Sequence, residues 1–203
     1  MTSRSKPDWH HEEAEIGLVV GIDEAGRGPW AGPVSAAAVI LDPSAPGLPL
    51  DDSKKLSARS RSQLFDEIMT HHRVGIALAS VEEIDELNIL AASHLAMRRA
   101  LAALGQPVPD MALVDGNRDP GLGIGTRLII GGDGQSMSIA AASIMAKVTR
   151  DRIMDDLALT YPAYGFDRHK GYGTKAHYLA LLEHGPCPVH RKTFAPIHKM
   201  LCQ

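Results

Sequence analysis

The sequence predicts one α/β domain built on a five-stranded sheet, and three observations carry that prediction. Short apolar runs alternate with longer segments whose apolar residues recur at spacings of three and four. Glycine and proline mark the boundaries between the two kinds of segment. The length of 203 residues, 44% hydrophobic and 22% charged, suits a single sizeable core of ordinary globular composition.

Taken in order, residues 1–15 are polar, with His10-His11 and Glu12-Glu13, and read as a flexible tail. Leu18 to Ile22 and Val34 to Leu41 read as buried strands. The eleven residues between them hold three Gly and two Pro, which makes an irregular turn. Asp42 to Leu50, with three prolines, is a surface loop. Ser57 to His72 is a helix with Ser57 as its N-cap, Val74 to Ser80 a third strand, and Val81 to Leu104 contains helix. Met111 to Val114 and Arg127 to Ile130 are the last two strands. A long helix runs from about Ser136 to Leu157, its stripe formed by Ile139, Ala142, Ala146, Thr149, Ile153 and Leu157. After it come a Gly- and Tyr-rich loop from Tyr161 to Gly173, a helix from about Lys175 to Glu183, and an irregular tail. The whole is expected to be a single domain over 16–203.

Several function classes are excluded at this level. No apolar run approaches the ~20 residues of a membrane-spanning helix. The charged N-terminus has no hydrophobic stretch of the secretory kind. Cys187 and Cys202 form no Cys-x-x-Cys pair, so a disulfide framework and a cysteine zinc site are disfavoured and a cytoplasmic location is expected. The histidines at 169, 177, 184, 190 and 198 match no recognised zinc spacing. A net charge of −3 argues against a polyanionic partner until the chain is divided. Residues 1–139 carry 12 Lys and Arg against 19 Asp and Glu, while residues 140–203 carry 9 against 5. An acidic and a basic part can lie side by side in one domain, so the average decides nothing.

The acidic residues with the most informative settings stand where apolar strands give way to glycine. Asp23-Glu24 follows Val19-Val20-Gly21-Ile22, Asp115 follows Ala112-Leu113-Val114, and Asp133 follows Gly131-Gly132. Ligands gather at such strand ends in open α/β folds. Two carboxylates ~4 Å apart repel by roughly 4 kcal/mol at an effective dielectric near 20. A convergent set therefore needs cations or raised pKa values. All-oxygen ligands suit Mg²⁺ or Mn²⁺, and such sites suit phosphoryl chemistry. A single Asp at a strand end is more often a turn or cap residue, and adjacent Asp23 and Glu24 leave a regular strand on opposite faces. The residues alone leave both readings open.

The run Gly21-Ile22-Asp23-Glu24-Ala25-Gly26-Arg27-Gly28-Pro29, continuing through Ala31-Gly32-Pro33-Val34, closely resembles the opening motif of the type 2 ribonucleases H, the ribonuclease HII family. Four later blocks match that family in the same order. They are Asp52-Ser53-Lys54-Lys55-Leu56, Val114-Asp115-Gly116-Asn117, Ser138 to Ile144 with Ala146-Lys147-Val148, and Tyr164-Gly165-Phe166 with His169-Lys170-Gly171-Tyr172-Gly173-Thr174. The resemblance spans about residues 17–197.

It implies a ribonuclease H-like fold, a mixed five-stranded sheet flanked by helices with a helical C-terminal extension. It also implies an endonuclease that cuts on the 5′ side of ribonucleotides in RNA–DNA hybrids and at single ribonucleotides in duplex DNA. The ends would be 3′-hydroxyl and 5′-phosphate, and two Mn²⁺ or Mg²⁺ ions would be used. By the same resemblance Asp23, Glu24, Asp115 and Asp133 are the metal-ligating carboxylates, although Gly131-Gly132-Asp133 departs from the commoner lysine-glycine-aspartate form. Asp119 is the competing candidate, in a setting that reads better as a turn.

Gly26-Arg27-Gly28 resembles the segment that senses the RNA–DNA junction. Backbone amides between glycines can reach a ribose 2′-hydroxyl. Tyr172 resembles the junction tyrosine that packs on the adjoining deoxyribose. Lys54 and Arg27 are the first candidates for phosphate contacts, followed by Lys147, Lys170 and His169. Ser143 is expected either to face the site or to serve in helix packing. His190-Arg191-Lys192-Thr193-Phe194 resembles the family's C-terminal motif without an assigned role. The type 3 enzymes share the carboxylates, but they carry an extra N-terminal domain and a lysine where Arg27 stands. A hybrid-binding module without activity is disfavoured by the intact carboxylates. The expected form is a monomer without an obligate protein partner.

Overall fold

The computed structural model describes residues 6–45, 47–50 and 56–202. Its centre is one sheet of β1 (Val19–Ala25), β2 (Val34–Ile40), β3 (Arg73–Ala79), β4 (Met111–Asp115) and β5 (Gly125–Ile129), ordered β3-β2-β1-β4-β5. The β1–β2 and β2–β3 pairs are antiparallel, and β1–β4 and β4–β5 are parallel, so the sheet is mixed as expected. The helices among the described residues are α1 (His10–Glu13), α2 (Ala58–His71), α3 (Val81–Leu87), α4 (Ile89–Ala103), α5 (Met137–Thr160), α6 (Phe166–His169), α7 (Lys175–His184) and α8 (Ala195–Leu201).

Strand β2 reads Val-Ser-Ala-Ala-Ala-Val-Ile and is buried along its whole length, because both faces of the sheet are covered there. On one face Ala36, Ala38 and Ile40 join Val20, Ile22 and Val114 against α4 residues Ala92, Ala96, Met97 and Ala100. On the other, Ala37 and Val39 meet Leu64 and Ile68 of α2 and the Ala140–Ala142 segment of α5. Small side chains bring α5 close to β1. A Cβ on Gly21 would lie 2.1 Å from the Ser138 carbonyl carbon, so that crossing admits no side chain. The stripe read from the sequence underestimates α5, which is buried at every position from Ser138 to Ala146. The sheet, α2 and the 132–134 turn enclose its first half.

Three local expectations change. The helical stretch over 81–104 is two helices broken at Asn88, which has a left-handed φ of 72°. Its side-chain oxygen accepts from the amides of Leu90 and Ala91, capping the second helix. The segment after α7 is not irregular throughout. It ends in α8, with Pro196 in the first turn and Ile197 fully buried.

Residues 8–15, expected to be part of a flexible tail, are tied to the start of α5. Asp8 donates its amide to the Gln135 carbonyl and accepts from the Met137 amide. Glu12 Oε1 accepts from Ser136 Oγ at 2.6 Å, Ser138 N at 2.8 Å and Ser138 Oγ at 2.7 Å. A carboxylate there satisfies orphan donors and complements the positive end of the helix. No apolar period signals this anchoring, because it is polar. Glu12→Ala should cost about 1–2 kcal/mol and lower Tm by roughly 2–8 °C in a chain of this size. An unchanged melting temperature would restore the free-tail reading.

Candidate active site

At the C-terminal ends of β1 and β4 a cleft of about 370 Å³ is lined by Asp23, Glu24, Asp115, the Gly26–Gly28 segment, Ser143, Lys147, Arg150 and Tyr172. The sheet explains how adjacent acids reach it together. The β1–β4 register ends at Ile22↔Val114, while β1 continues beside β2 as far as Ala25↔Ser35. Beyond Val114 one edge of β1 is therefore open, and Asp23 and Glu24 line the same cleft although they leave the strand on opposite faces. Asp115, the last residue of β4, accepts from the Gly132 amide at 2.8 Å, which pins the following turn to the strand end. A second cavity, about 680 Å³, lies at the opposite end of the sheet beside Gly17, Leu41 and Met137. Its Glu12 and Ser138 bind each other, and no strand-end acid pair faces it.

Burial dominates the electrostatics. Asp23 is 5% exposed, and its pKa is raised well above the usual carboxylate value by desolvation, then by the charges of Glu24 and Asp115. Hydrogen bonds from Ser143 and from the Glu24 amide, the latter at 2.7 Å, oppose the rise without cancelling it. Glu24 is also raised by desolvation, against the pull of Arg27, whose guanidinium lies 3.2 Å away. The cleft thus holds carboxyl groups that lack sufficient cationic compensation, and its donors are hard oxygens. Among the described residues no three His, Cys, Asp or Glu side chains form a ready-made metal cage. An open set of carboxylates still fits Mg²⁺ or Mn²⁺, since such ions commonly take one or two carboxylates and complete their shells with water and phosphate.

The turn between β1 and β2 is held from below by two buried guanidiniums. Arg150, 1% exposed, donates Nε to the Pro33 carbonyl, Nη1 to that of Lys170 and Nη2 to that of Ala31, each at 3.0 Å. Arg191, fully buried, donates Nε to Gly32 O at 2.9 Å, Nη1 to Arg27 O at 3.0 Å and Nη2 to Gly26 O at 2.6 Å. Burial lowers Arg150 to about 10, and burial and the charge of Arg150 lower Arg191 to about 9, so both stay cationic at neutral pH. Gly26 has φ +99°, and a Cβ there would lie 2.0 Å from Arg150 Nε. In a trans peptide the C=O and the following N–H point opposite ways. Turning the Gly26 and Arg27 carbonyls onto Arg191 therefore turns the Arg27 and Gly28 amides away from that arginine.

Residues 20–198 match the sequence profile of the family described as Ribonuclease HII. The chain belongs to the ribonuclease HII family. It is 57% identical over 183 residues to a ribonuclease HII of Burkholderia pseudomallei strain 668, covering 90% of this chain and 85% of that one. The crystal structure of ribonuclease H2 from Pyrococcus horikoshii OT3 is similar with a TM-score of 0.75 and 27% identity, covering 90% of this chain and 96% of that chain. Bst-RNase HIII in complex with Mn²⁺ shares the fold at a TM-score of 0.64 and 17% identity, covering 91% and 69%. The chain is accordingly a nuclease with the ribonuclease H-like fold.

As a ribonuclease HII, the chain brings only some of the residues singled out from sequence to the cleft. Asp23, Glu24, Asp115, Gly26, Arg27, Gly28, Lys147 and Tyr172 line it, and so does Ser143. Asp133 is buried in the 132–134 turn, one residue beyond the amide that Asp115 holds, and is not among the lining residues. Asp119 is a turn residue, its carboxylate accepting from Gly121 N at 2.8 Å. Lys147 pairs with Asp151 at 2.8 Å, one turn along α5. Lys170 and His169, also expected to contact phosphate, are not among the residues lining the cleft. The Lys170 ammonium pairs with Asp155, and both ring nitrogens of His169 are bonded to main chain, Nε2 to Tyr164 O and Nδ1 to Gly171 N. Lys54 lies outside the described residues.

Arg150 and Arg191 are the residues that sequence reasoning missed. A signal for Arg150 existed: it falls four residues after Ala146 and four before Met154 on the buried side of α5, where a charge needs a reason. Because Asp23 has a raised pKa in the folded state, its charge opposes folding at pH values above that pKa. Asp23→Asn should therefore raise Tm in chelator by about 2–4 °C for each kcal/mol relieved while abolishing turnover. Added Mn²⁺ should stabilise the parent protein more than the variant. A lowered Tm in chelator would show that Asp23 is already compensated.

Proposed function

We propose that this ribonuclease HII hydrolyses the phosphodiester on the 5′ side of a ribonucleotide, in RNA–DNA hybrids and at single ribonucleotides embedded in duplex DNA. Water supplies the oxygen that joins phosphorus, the P–O3′ bond breaks, and the departing 3′-oxygen takes a proton. The products are a 3′-hydroxyl and a 5′-phosphate. The observation that carries this reading is the juxtaposition of the carboxylate cleft, the Gly26-Arg27-Gly28 turn and the Tyr172 ring. A Cβ added to Gly28 would meet Tyr172 Cε1 at 3.6 Å, so the ring and the turn share one wall.

Each residue has a task in that geometry. The outward amides of Arg27 and Gly28 reach the ribose 2′-hydroxyl, the group that distinguishes RNA from DNA. Tyr172, 46% exposed, offers its ring to the sugar on the other side of the junction, where a 2′-hydroxyl would crowd it. Arg27 and Lys147 hold backbone phosphates without reading sequence. Asp23, Glu24 and Asp115 hold two divalent cations, Mg²⁺ or Mn²⁺. Asp133 joins them as the fourth carboxylate on the strength of the motif resemblance. When bound, the ions supply activation of the attacking water and charge neutralisation at the leaving oxygen. On this reading the enzyme acts as a monomer in the cytoplasm, in the removal of ribonucleotides from DNA.

The test is a DNA duplex carrying one ribonucleotide, incubated with Mn²⁺ or Mg²⁺. Incision 5′ to that nucleotide is expected with at least one ion, and an intact duplex with both would defeat the proposal. Asp115→Asn should reduce turnover by at least a hundredfold while leaving Kd for the duplex within a few-fold. Full activity in that variant would remove Asp115 from the site.

A further inference from the structure

Beneath the Tyr172 loop lies a cluster of three imidazoles that the cleavage reaction does not use. His169 and His177 stack with ring centroids 4.6 Å apart, and the His177 and His190 centroids are 5.2 Å apart. His177 and His190 are fully buried. Their Nε2 atoms are 2.9 Å apart, so one must donate to the other.

Main-chain groups with fixed roles settle the direction of that bond. At one end, His177 Nδ1 lies 3.0 Å from the Tyr172 carbonyl, which can only accept, so Nδ1 carries the proton. At the other end, the Cys187 amide donates to His190 Nδ1 at 3.0 Å, so that nitrogen is bare. The Cys187 carbonyl and thiol also lie near that nitrogen, at 3.2 and 3.1 Å, and the His177 end decides: a neutral His177 protonated at Nδ1 has a bare Nε2, so His190 carries its proton on Nε2 and leaves Nδ1 as the acceptor. With both rings neutral, His190 Nε2–H must donate to His177 Nε2. His169 is fixed in the same way: the Gly171 amide donates to Nδ1 at 3.2 Å, leaving Nε2–H for the Tyr164 carbonyl at 2.8 Å. Burial lowers His177 and His190 to about 4, consistent with neutral rings at pH 7.

We propose that His190 and His177 form a one-way hydrogen-bond chain, from the Cys187 amide to the Tyr172 carbonyl, that sets the position of the Tyr172 ring and thereby the preference for a junction over a continuous hybrid. His169 braces the preceding residues of the same loop through Tyr164 and Gly171. His177 and His190 are positioning residues, since neither lines the cleft. The proposal rests on the reading of Tyr172 as the junction residue.

Long-range proton–nitrogen NMR of the full-length protein at pH 7 reads the chain directly. His177 should be protonated at Nδ1, and His169 and His190 at Nε2. Protonation of His177 at Nε2, or a charged His177 or His190, would overturn the chain. Its role is read from the ratio of kcat/KM on a single-ribonucleotide duplex to kcat/KM on a long hybrid. His177→Ala should lower that ratio about three- to tenfold, the range expected for one lost hydrogen bond. His177→Asn, whose amide nitrogen overlays Nδ1, should restore most of it. In a Tyr172→Ala background, His177→Ala should leave the ratio unchanged.

Equal losses on both substrates, no rescue by asparagine, or multiplicative effects with Tyr172→Ala would each reject the positioning role. Should His177→Ala fail to fold, His190→Gln, which keeps a donor near Nε2, replaces it, and its ratio should stay within twofold of the parent. A larger drop would count against the chain. A parent enzyme that incises neither substrate, with the tautomers as assigned, would instead overturn the function and with it this role of Tyr172.

Discussion

The structure of the active site depends on two buried arginines, Arg150 and Arg191. A buried guanidinium ordinarily needs a carboxylate, because desolvating its charge costs several kcal/mol. The hydrogen bonds of Arg150 and Arg191 go instead to main-chain carbonyls from Gly26 to Pro33 and to Lys170. The arrangement works because an irregular turn, rich in Gly and Pro, leaves its carbonyls without strand partners, and each needs a donor. One arginine comes from α5 and the other from the segment before α8. The turn is therefore shaped by residues more than a hundred positions away, and the Arg27 and Gly28 amides point away from Arg191 because the Gly26 and Arg27 carbonyls point toward it.

The same arrangement resolves the charge distribution. The acidic residues that matter stand at the ends of β1 and β4, within the acidic first two-thirds of the chain. The basic residues of α5 and the C-terminal segment fold back beside them. Arg150, Arg191 and Lys147 add positive charge under and beside the cleft, while Asp23, Glu24 and Asp115 concentrate negative charge inside it, where the proposed divalent cations would neutralise it. A net charge of −3 is thus compatible with a polyanionic substrate, because the field that matters is local.

The C-terminal third also governs the wall of the cleft that carries Tyr172. Trp30 donates its amide to the Gly171 carbonyl at 2.8 Å and accepts from the Arg191 amide at 2.9 Å, so the turn between β1 and β2, the Tyr172 loop and the Arg191 segment form one body. The aromatic and imidazole rings of Tyr164, Phe166, His177 and His190 fill the space beneath it. The proposed comparison of the two sides of a sugar junction needs the turn and the ring at a fixed separation, and one continuous packed unit behind them supplies that rigidity.

The sequence by itself determined the five strands, the helices of the core and the positions of Asp23, Glu24 and Asp115, because hydrophobic period and strand-end glycines are local signals. The order β3-β2-β1-β4-β5 was not written in any segment, since strand order is decided by which faces must be covered at once. Polar anchoring was equally silent. Glu12 looks like part of a solvated tail until Ser136 and Ser138 lie against it, and nothing in the motif around His169 signals that both of its ring nitrogens meet backbone. Arg191 stood inside a recognised motif without a role. What a buried cation does depends on which carbonyls surround it, and residues 26–33 reach Arg191 only across more than 150 positions of chain. Tertiary structure alone decided these roles, because hydrogen-bond partners distant in sequence leave no periodicity behind.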